Sequence, residues 1–145
     1  TNGSQEYYHN NQPVITDNMV GVHNGIIVNS PQLWEKNKSL DRKYELDSEI
    51  IFRLIDDMIQ KREQIDKAIL KTFDEIYGQA SIATFSALFD IMLLYTNNGS
   101  LYLATDQNNS IVIFASEKII IERLIKSSYF KNKVFPCRFV WFRRS

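Results

Sequence analysis

The 145-residue sequence is poor in several residue types: it has one cysteine, two histidines, three prolines and five glycines. A single Cys137 excludes an intrachain disulfide framework and a cysteine-rich zinc site. It also suits a reducing compartment, so a cytoplasmic location is expected. No residues stand at metal-ligand spacing, and neither a metal nor a cofactor is expected. An excess of charge of one sign is missing too. With 17 basic against 17 acidic residues, the chain offers no electrostatic footprint for nucleic acid or an anionic membrane. Arg143-Arg144 reads as a solvated end. No apolar run approaches the roughly 18 residues of a membrane span, and no charged segment followed by an apolar one opens the chain. There is no internal repeat and no low-complexity tract.

What is present is enough for one core. The chain is 44% hydrophobic and 12% aromatic, which predicts a single domain over 1–145. Asn10-Asn11-Gln12-Pro13 reads as a turn, with Pro13 holding its neighbour extended. Ser30-Pro31 opens a short helix, with Ser30 as N-cap and Pro31 at the first helical position. Asp47-Ser48-Glu49 opens a longer one, along which Ile50, Ile51, Leu54, Ile55, Met58 and Ile59 recur at helical spacing. A further helix runs through Ile65, Ala68, Ile69, Thr72, Phe73 and Ile76, with Gly78 at the position that ends it.

From Ala80 the period changes. Residues 81–88, 91–96, 100–105 and 110–115 are short runs rich in β-branched and aromatic residues. The breaks at Asn97-Asn98-Gly99 and Gln107-Asn108-Asn109 predict hairpin turns and one antiparallel meander. Ser116-Glu117 caps a last helix through Ile120, Ile121, Leu124 and Ile125. A strand over 134–142 follows, with Phe139 and Trp141 turned inward. The expected fold class is α+β, layered antiparallel sheets covered by helices.

The most informative stretch is Gly21-Val22-His23-Asn24-Gly25-Ile26-Ile27-Val28-Asn29. Asn-Gly between two β-branched runs is a strong hairpin signal, because a type I′ turn needs positive φ at both central residues. The same pair can do chemistry. An Asn side-chain amide and a Gly backbone N–H are two preorganised donors, as a tetrahedral oxyanion in acyl transfer requires.

Four motifs then stand in order: Thr1-Asn2-Gly3, Gln12-Pro13, His23-Asn24-Gly25 and Asp47-Ser48-Glu49 at the head of an apolar helix. Together they resemble the class II glutamine amidotransferase domain, the N-terminal-nucleophile glutaminase shared by asparagine synthetase, hexosamine-phosphate synthase, amidophosphoribosyltransferase and glutamate synthase. The resemblance continues more loosely through Ile76-Tyr77-Gly78-Gln79-Ala80-Ser81 and Ile113-Phe114-Ala115-Ser116-Glu117. It implies the αββα N-terminal-nucleophile hydrolase fold. It implies that Asn24 supplies the side-chain amide and Gly25 the backbone N–H of an oxyanion hole. Asp47 resembles the carboxylate that binds the α-ammonium of glutamine, beside its plainer reading as a helix cap. Thr1 and Gly3 resemble the loop that touches the substrate's α-carboxylate. His23 reads as a structural histidine, and His9 has no role.

The implied activity is the glutaminase half of a glutamine amidotransferase, which hydrolyses glutamine and passes ammonia to a synthetase or transferase domain. One element of the pattern is missing. The family's attacking Cys stands at the mature N-terminus, with its own α-amine as base. Here Thr1 aligns with the substrate loop, and Cys137 reads as a small buried hydrophobe. The chain is therefore expected to lack the first strands and the nucleophile segment of a longer parent. An open sheet edge would then favour pairing with a second copy. The alternative is a degenerate, inactive relative that serves glutamine binding or protein interaction.

Overall fold

The computed structural model describes residues 10–89, 91–108, 110–127 and 129–137. The chain divides between Asn98 and Gly99 into two compact units, each built on its own antiparallel sheet.

The first unit holds β1 (Val14–Ile15), β2 (Met19–Ile27), α1 (Ser30–Lys36), α2 (Glu49–Gln60), α3 (Ile65–Glu75), β3 (Gly78–Ser86) and β4 (Ile91–Thr96). Its four strands lie in the order β1-β2-β3-β4, antiparallel throughout. The apolar periodicity explains the packing. Ile50, Ile51, Leu54, Ile55 and Ile59 of α2 are buried together with Ala68, Ile69 and Phe73 of α3. They cover the sheet face that carries Met19, Ile27, Ala80 and Ile82. The Phe73 ring meets Tyr95 of β4 at 4.4 Å between centroids. On the opposite face Val20, Val22, Ile26, Phe85 and Met92 are exposed.

The start of α2 is fixed by buried polar groups. Glu49 is fully buried, and its carboxylate accepts the backbone N–H groups of Lys43 at 2.9 Å and Tyr44 at 2.7 Å. It also pairs with Arg53 Nε at 3.2 Å. Every one of these bonds satisfies a charge that would be costly to bury alone. Further along α2, Asp56 accepts the Asn18 N–H at 3.2 Å and Asn18 Nδ2 at 2.8 Å, which ties the helix to the β1–β2 turn.

The structure corrects the sequence reading at several points. Asn24-Gly25 is not a hairpin turn: β2 runs unbroken through it, with Asn24 opposite Ser81 and Gly25 opposite Ala80. Gly25 does adopt a positive φ of 143°, but it does so inside a strand. A Cβ there would stand 1.8 Å from the Gln79 carbonyl oxygen, so the residue is glycine because β3 comes so close. Gly78 does not end a helix. It opens β3 at φ 139°, and its absent Cβ makes room for the Ile26 carbonyl, which a Cβ would meet at 2.0 Å. The two glycines thus serve the same pair of strands. Asn29, not Ser30, precedes the first helical residue of α1, so Pro31 stands at the second helical position rather than the first, still within the first turn. The short strand β1 was not foreseen, because two residues are too few to show a period.

The second unit holds β5 (Tyr102–Asp106), β6 (Val112–Ala115), α4 (Lys118–Lys126) and β7 (Val134–Cys137). Its sheet has the order β6-β5-β7. There is accordingly no single meander. β5 and β6 do pair as consecutive antiparallel strands, but Asn97-Asn98-Gly99 is the passage from one unit to the other. Ile121 of α4 packs with Ala104 and Val134, and with the half-buried Ile113 and Ile125. Ile120, expected on that face, is exposed. The expected strand at 134–142 is described only to Cys137; Phe139 and Trp141 lie outside the described residues.

Candidate active site

The candidate site is built along one edge of β2. In an antiparallel ladder, successive residues direct their N–H and C=O groups to opposite neighbours. The even residues of β2 face β3, as the bond from Val28 N–H to the Tyr77 carbonyl at 2.8 Å shows. The odd residues face the other way, toward β1. β1 spans only Val14 and Ile15, opposite Gly21 and Val20, so beyond Gly21 the odd residues need other partners.

Two of them find side chains. The Gln12 carboxamide takes both backbone groups of His23: its Oε1 accepts the His23 N–H, and its Nε2 donates to the His23 carbonyl at 2.6 Å. The Ile27 N–H donates to Asp47 Oδ2 at 2.9 Å. Between these two, on the same edge, lies the N–H of Gly25. The Asn24 side chain is exposed on the outer face of the sheet.

Asp47 is buried, and its second oxygen, Oδ1, has no hydrogen-bond partner among the described residues. The residue after it reaches the same strand, because the Ser48 hydroxyl lies 2.8 Å from His23 Nδ1. Consecutive residues at the head of α2 therefore hold β2 on both sides of Asn24-Gly25. Burial pushes the His23 pKa down from its ordinary 6.5, against the opposing pull of the Asp47 carboxylate and the Gln79 backbone. A neutral imidazole beside a carboxylate is the result. Its Nε2 is buried with no described partner and would lie 3.0 Å from a Cβ at position 25.

Of the residues singled out in the sequence, Gly25 lies on this edge and Asp47 bonds it two residues on at Ile27, while the side chain of Asn24 lies on the outer face. Thr1 and Gly3 lie outside the described residues, as does His9. Ser48 is not a helix cap by side-chain hydrogen bond; its hydroxyl serves His23 instead. The sequence reading missed Gln12 as a partner of His23. Its only available signal was the Gln-Pro dipeptide before an apolar run, which also describes an ordinary turn. No group of three or more metal-ligating side chains is assembled among the described residues. Likewise no described helix is long and apolar enough to cross a membrane.

Helices packed on antiparallel sheets form an arrangement that known proteins share. The family model described as glutamine amidotransferase domain matches residues 4–123, and the chain belongs to that family. Two solved structures are similar. Glutamine phosphoribosylpyrophosphate amidotransferase from B. subtilis, complexed with ADP and GMP, matches with a TM-score of 0.61 and 21% identity over 81% of this chain and 27% of that one. A structure described as the allosteric regulatory enzyme of purine biosynthesis matches with a TM-score of 0.62 and 22% identity, over 80% of this chain and 26% of the other. The chain thus spans about a quarter of the length of those proteins. No curated protein sequence matches it.

Proposed function

We propose that this chain is the glutaminase part of a glutamine amidotransferase, and that the ammonia it releases passes to a synthetase or transferase domain of a longer parent protein. The observation that carries the reading is the β2 edge, where the Gly25 N–H lies between two pinned neighbours. Asp47 Oδ1 supports it further: a buried carboxylate oxygen without a donor among the described residues is what an α-ammonium group would satisfy.

The reaction divides between this chain and the parent. A cysteine thiolate at the parent's mature N-terminus adds to the carboxamide carbon of glutamine, and the C=O π pair moves to oxygen. The Asn24 amide and the Gly25 N–H donate to that oxyanion, the charge that develops in the transition state. Collapse of the intermediate breaks the C–N bond. The leaving nitrogen takes the proton held by the α-amine of the cysteine and departs as ammonia, leaving a glutamyl thioester. Water then adds to the thioester carbon, giving one proton to the cysteine α-amine, the same two donors hold the second oxyanion, and collapse breaks the C–S bond to release thiolate and glutamate, whose new carboxyl loses its proton to solvent. Asp47 binds the α-ammonium, and Thr1 and Gly3 meet the α-carboxylate. The family match at 4–123, which runs through both units, supports reading them as one domain. The protein works in the cytoplasm.

The test is glutamate release from glutamine by the longest natural form of the protein, with its N-terminal residue determined on the same sample. Release together with an N-terminal Cys is expected. No release from a form that carries the Cys refutes the reading.

A further inference from the structure

Every odd-numbered backbone N–H of β2 on the β1 side must have a partner or face open space. Gly21 pairs with Val14 of β1. Two residues on, the chain entering β1 has left the ladder, and among the described residues no strand lies opposite His23. Gln12 fills that position with a side chain. A primary carboxamide carries one acceptor and one donor group in the same plane, as a peptide unit does. Gln12 presents both to the N–H and carbonyl of one residue, the pattern an antiparallel strand residue would offer. The substitute ends there, because a side chain satisfies one residue and cannot continue the ladder. Gly25, the next residue on this edge, is left beyond it, and the edge is closed again at Ile27 by Asp47.

We propose that Gln12 is a positioning residue for the oxyanion donor: by standing in for a strand at His23, it fixes the height and direction of β2 and leaves the Gly25 N–H, among the described residues, as the open donor between two occupied ones. The proposal rests on the glutaminase reading for its catalytic consequence, and on geometry alone for the pattern of bonded amides. A true strand at Gln12 would extend the β1 ladder toward Gly25 and consume the donor. No partner at all would leave β2 held near Gly25 only through its side chains and through β3.

The experiment uses the longest natural form and two readouts on wild type, Gln12→Ala and Gln12→Glu. Gln12→Glu keeps an acceptor for the His23 N–H but places a carboxylate against the His23 carbonyl, so it tests the donor half separately. Residue-resolved amide hydrogen exchange in wild type should show His23 and Ile27 protected and Gly25 open. In Gln12→Ala the His23 amide should open as well, while Ile27 stays protected. In the glutaminase assay, both variants should lower kcat on the order of ten- to a hundredfold, the usual cost of a small misplacement of a catalytic group. KM for glutamine should stay within about twofold, because ground-state binding is untouched.

A Gly25 amide as protected as its neighbours overturns the proposal whatever the activity. So does unchanged His23 protection in Gln12→Ala, or an active wild type whose kcat is unaffected by both substitutions. A wild type that releases no glutamate refutes the glutaminase reading, and the proposal's geometry is then judged on the exchange pattern alone.

Discussion

Replacement of Gly25 by alanine should be far more damaging than replacement of Gly99, although both have positive φ. At Gly99 (φ 77°) a new Cβ meets nothing within 4 Å, so only the backbone conformation is penalised, at about 1–2 kcal/mol. At Gly25 (φ 143°) the same backbone penalty applies, and the Cβ would also stand 1.8 Å from the Gln79 oxygen. Real Cβ contacts stay beyond 3.0 Å, so β2 and β3 must separate there by at least about 1.2 Å. The obstacle is backbone, and no side-chain rotation relieves it. Opening by that distance breaks the ladder bonds on either side, at Asn24↔Ser81 and Ile26↔Gln79. At about 0.5–1.5 kcal/mol for each of the two bonds in either pair, and with the backbone penalty, the total for Gly25→Ala reaches roughly 3–8 kcal/mol. That is a large part of the ~5–15 kcal/mol that holds a domain folded. Urea unfolding followed by far-ultraviolet circular dichroism would measure both variants against wild type. Losses that agree within about 0.5 kcal/mol would refute the argument, since that is the usual scatter between independent sites.

Other outcomes follow from the same structure. Asn24→Ala in the parent protein should lower glutamine turnover on the order of a hundredfold or more with the fold intact, and unchanged turnover would remove Asn24 from the oxyanion site. Asp47→Asn should raise KM for glutamine more than it lowers thermal stability, whereas a loss of stability with unchanged KM would return Asp47 to a structural role. A Cβ at Gly21 would stand 2.2 Å from the Phe52 ring, so Gly21→Ala should cost about 1–3 kcal/mol through overpacking. Phe52→Leu should recover part of that loss in the double variant, and simple additivity in a denaturation cycle would disprove the clash. His23 is held below its ordinary pKa, so the unfolded chain binds its proton first as pH falls. Its contribution to stability is therefore complete above pH 6.5 and lost as pH falls through the lowered folded value. His23→Gln should flatten the stability profile below pH 6.5, and an unchanged slope would show that another group sets it.

Much of this could be read from the residues. The α2 and α3 faces were legible because each buries one stripe of large apolar residues, and periodicity reports that directly. Asp47-Ser48-Glu49 marked the start of α2 because small polar and acidic residues collect at helix N-termini. Asn24-Gly25 was misjudged as a turn because positive φ at a glycine is a local property, whereas the cause here is the Gln79 carbonyl more than fifty residues away. Gly78 misled in the same way, its conformation being set by Ile26. The split of the strands into two sheets was equally hidden: short β-branched runs announce strands and say nothing about which neighbour each one pairs with. Gln12 was illegible as a partner of His23, since only the folded chain shows where β1 stops.

The strictly alternating geometry of β2 has a consequence for how this segment can change over time. Within eight residues the strand assigns Gly21, His23 and Ile27 to the helix-covered side, and Val20, Val22, Asn24 and Ile26 to the other. Substitution alters one position at a time and leaves that assignment standing. A single-residue insertion or deletion between Gly21 and Asn24 would instead exchange the two sets at one stroke, turning Asn24 inward, His23 outward and the Gly25 donor toward β3. Related chains should therefore tolerate many different residues along β2 while keeping its length from the Val14 pairing to the Asp47 contact unchanged, and loop insertions should accumulate only outside those limits.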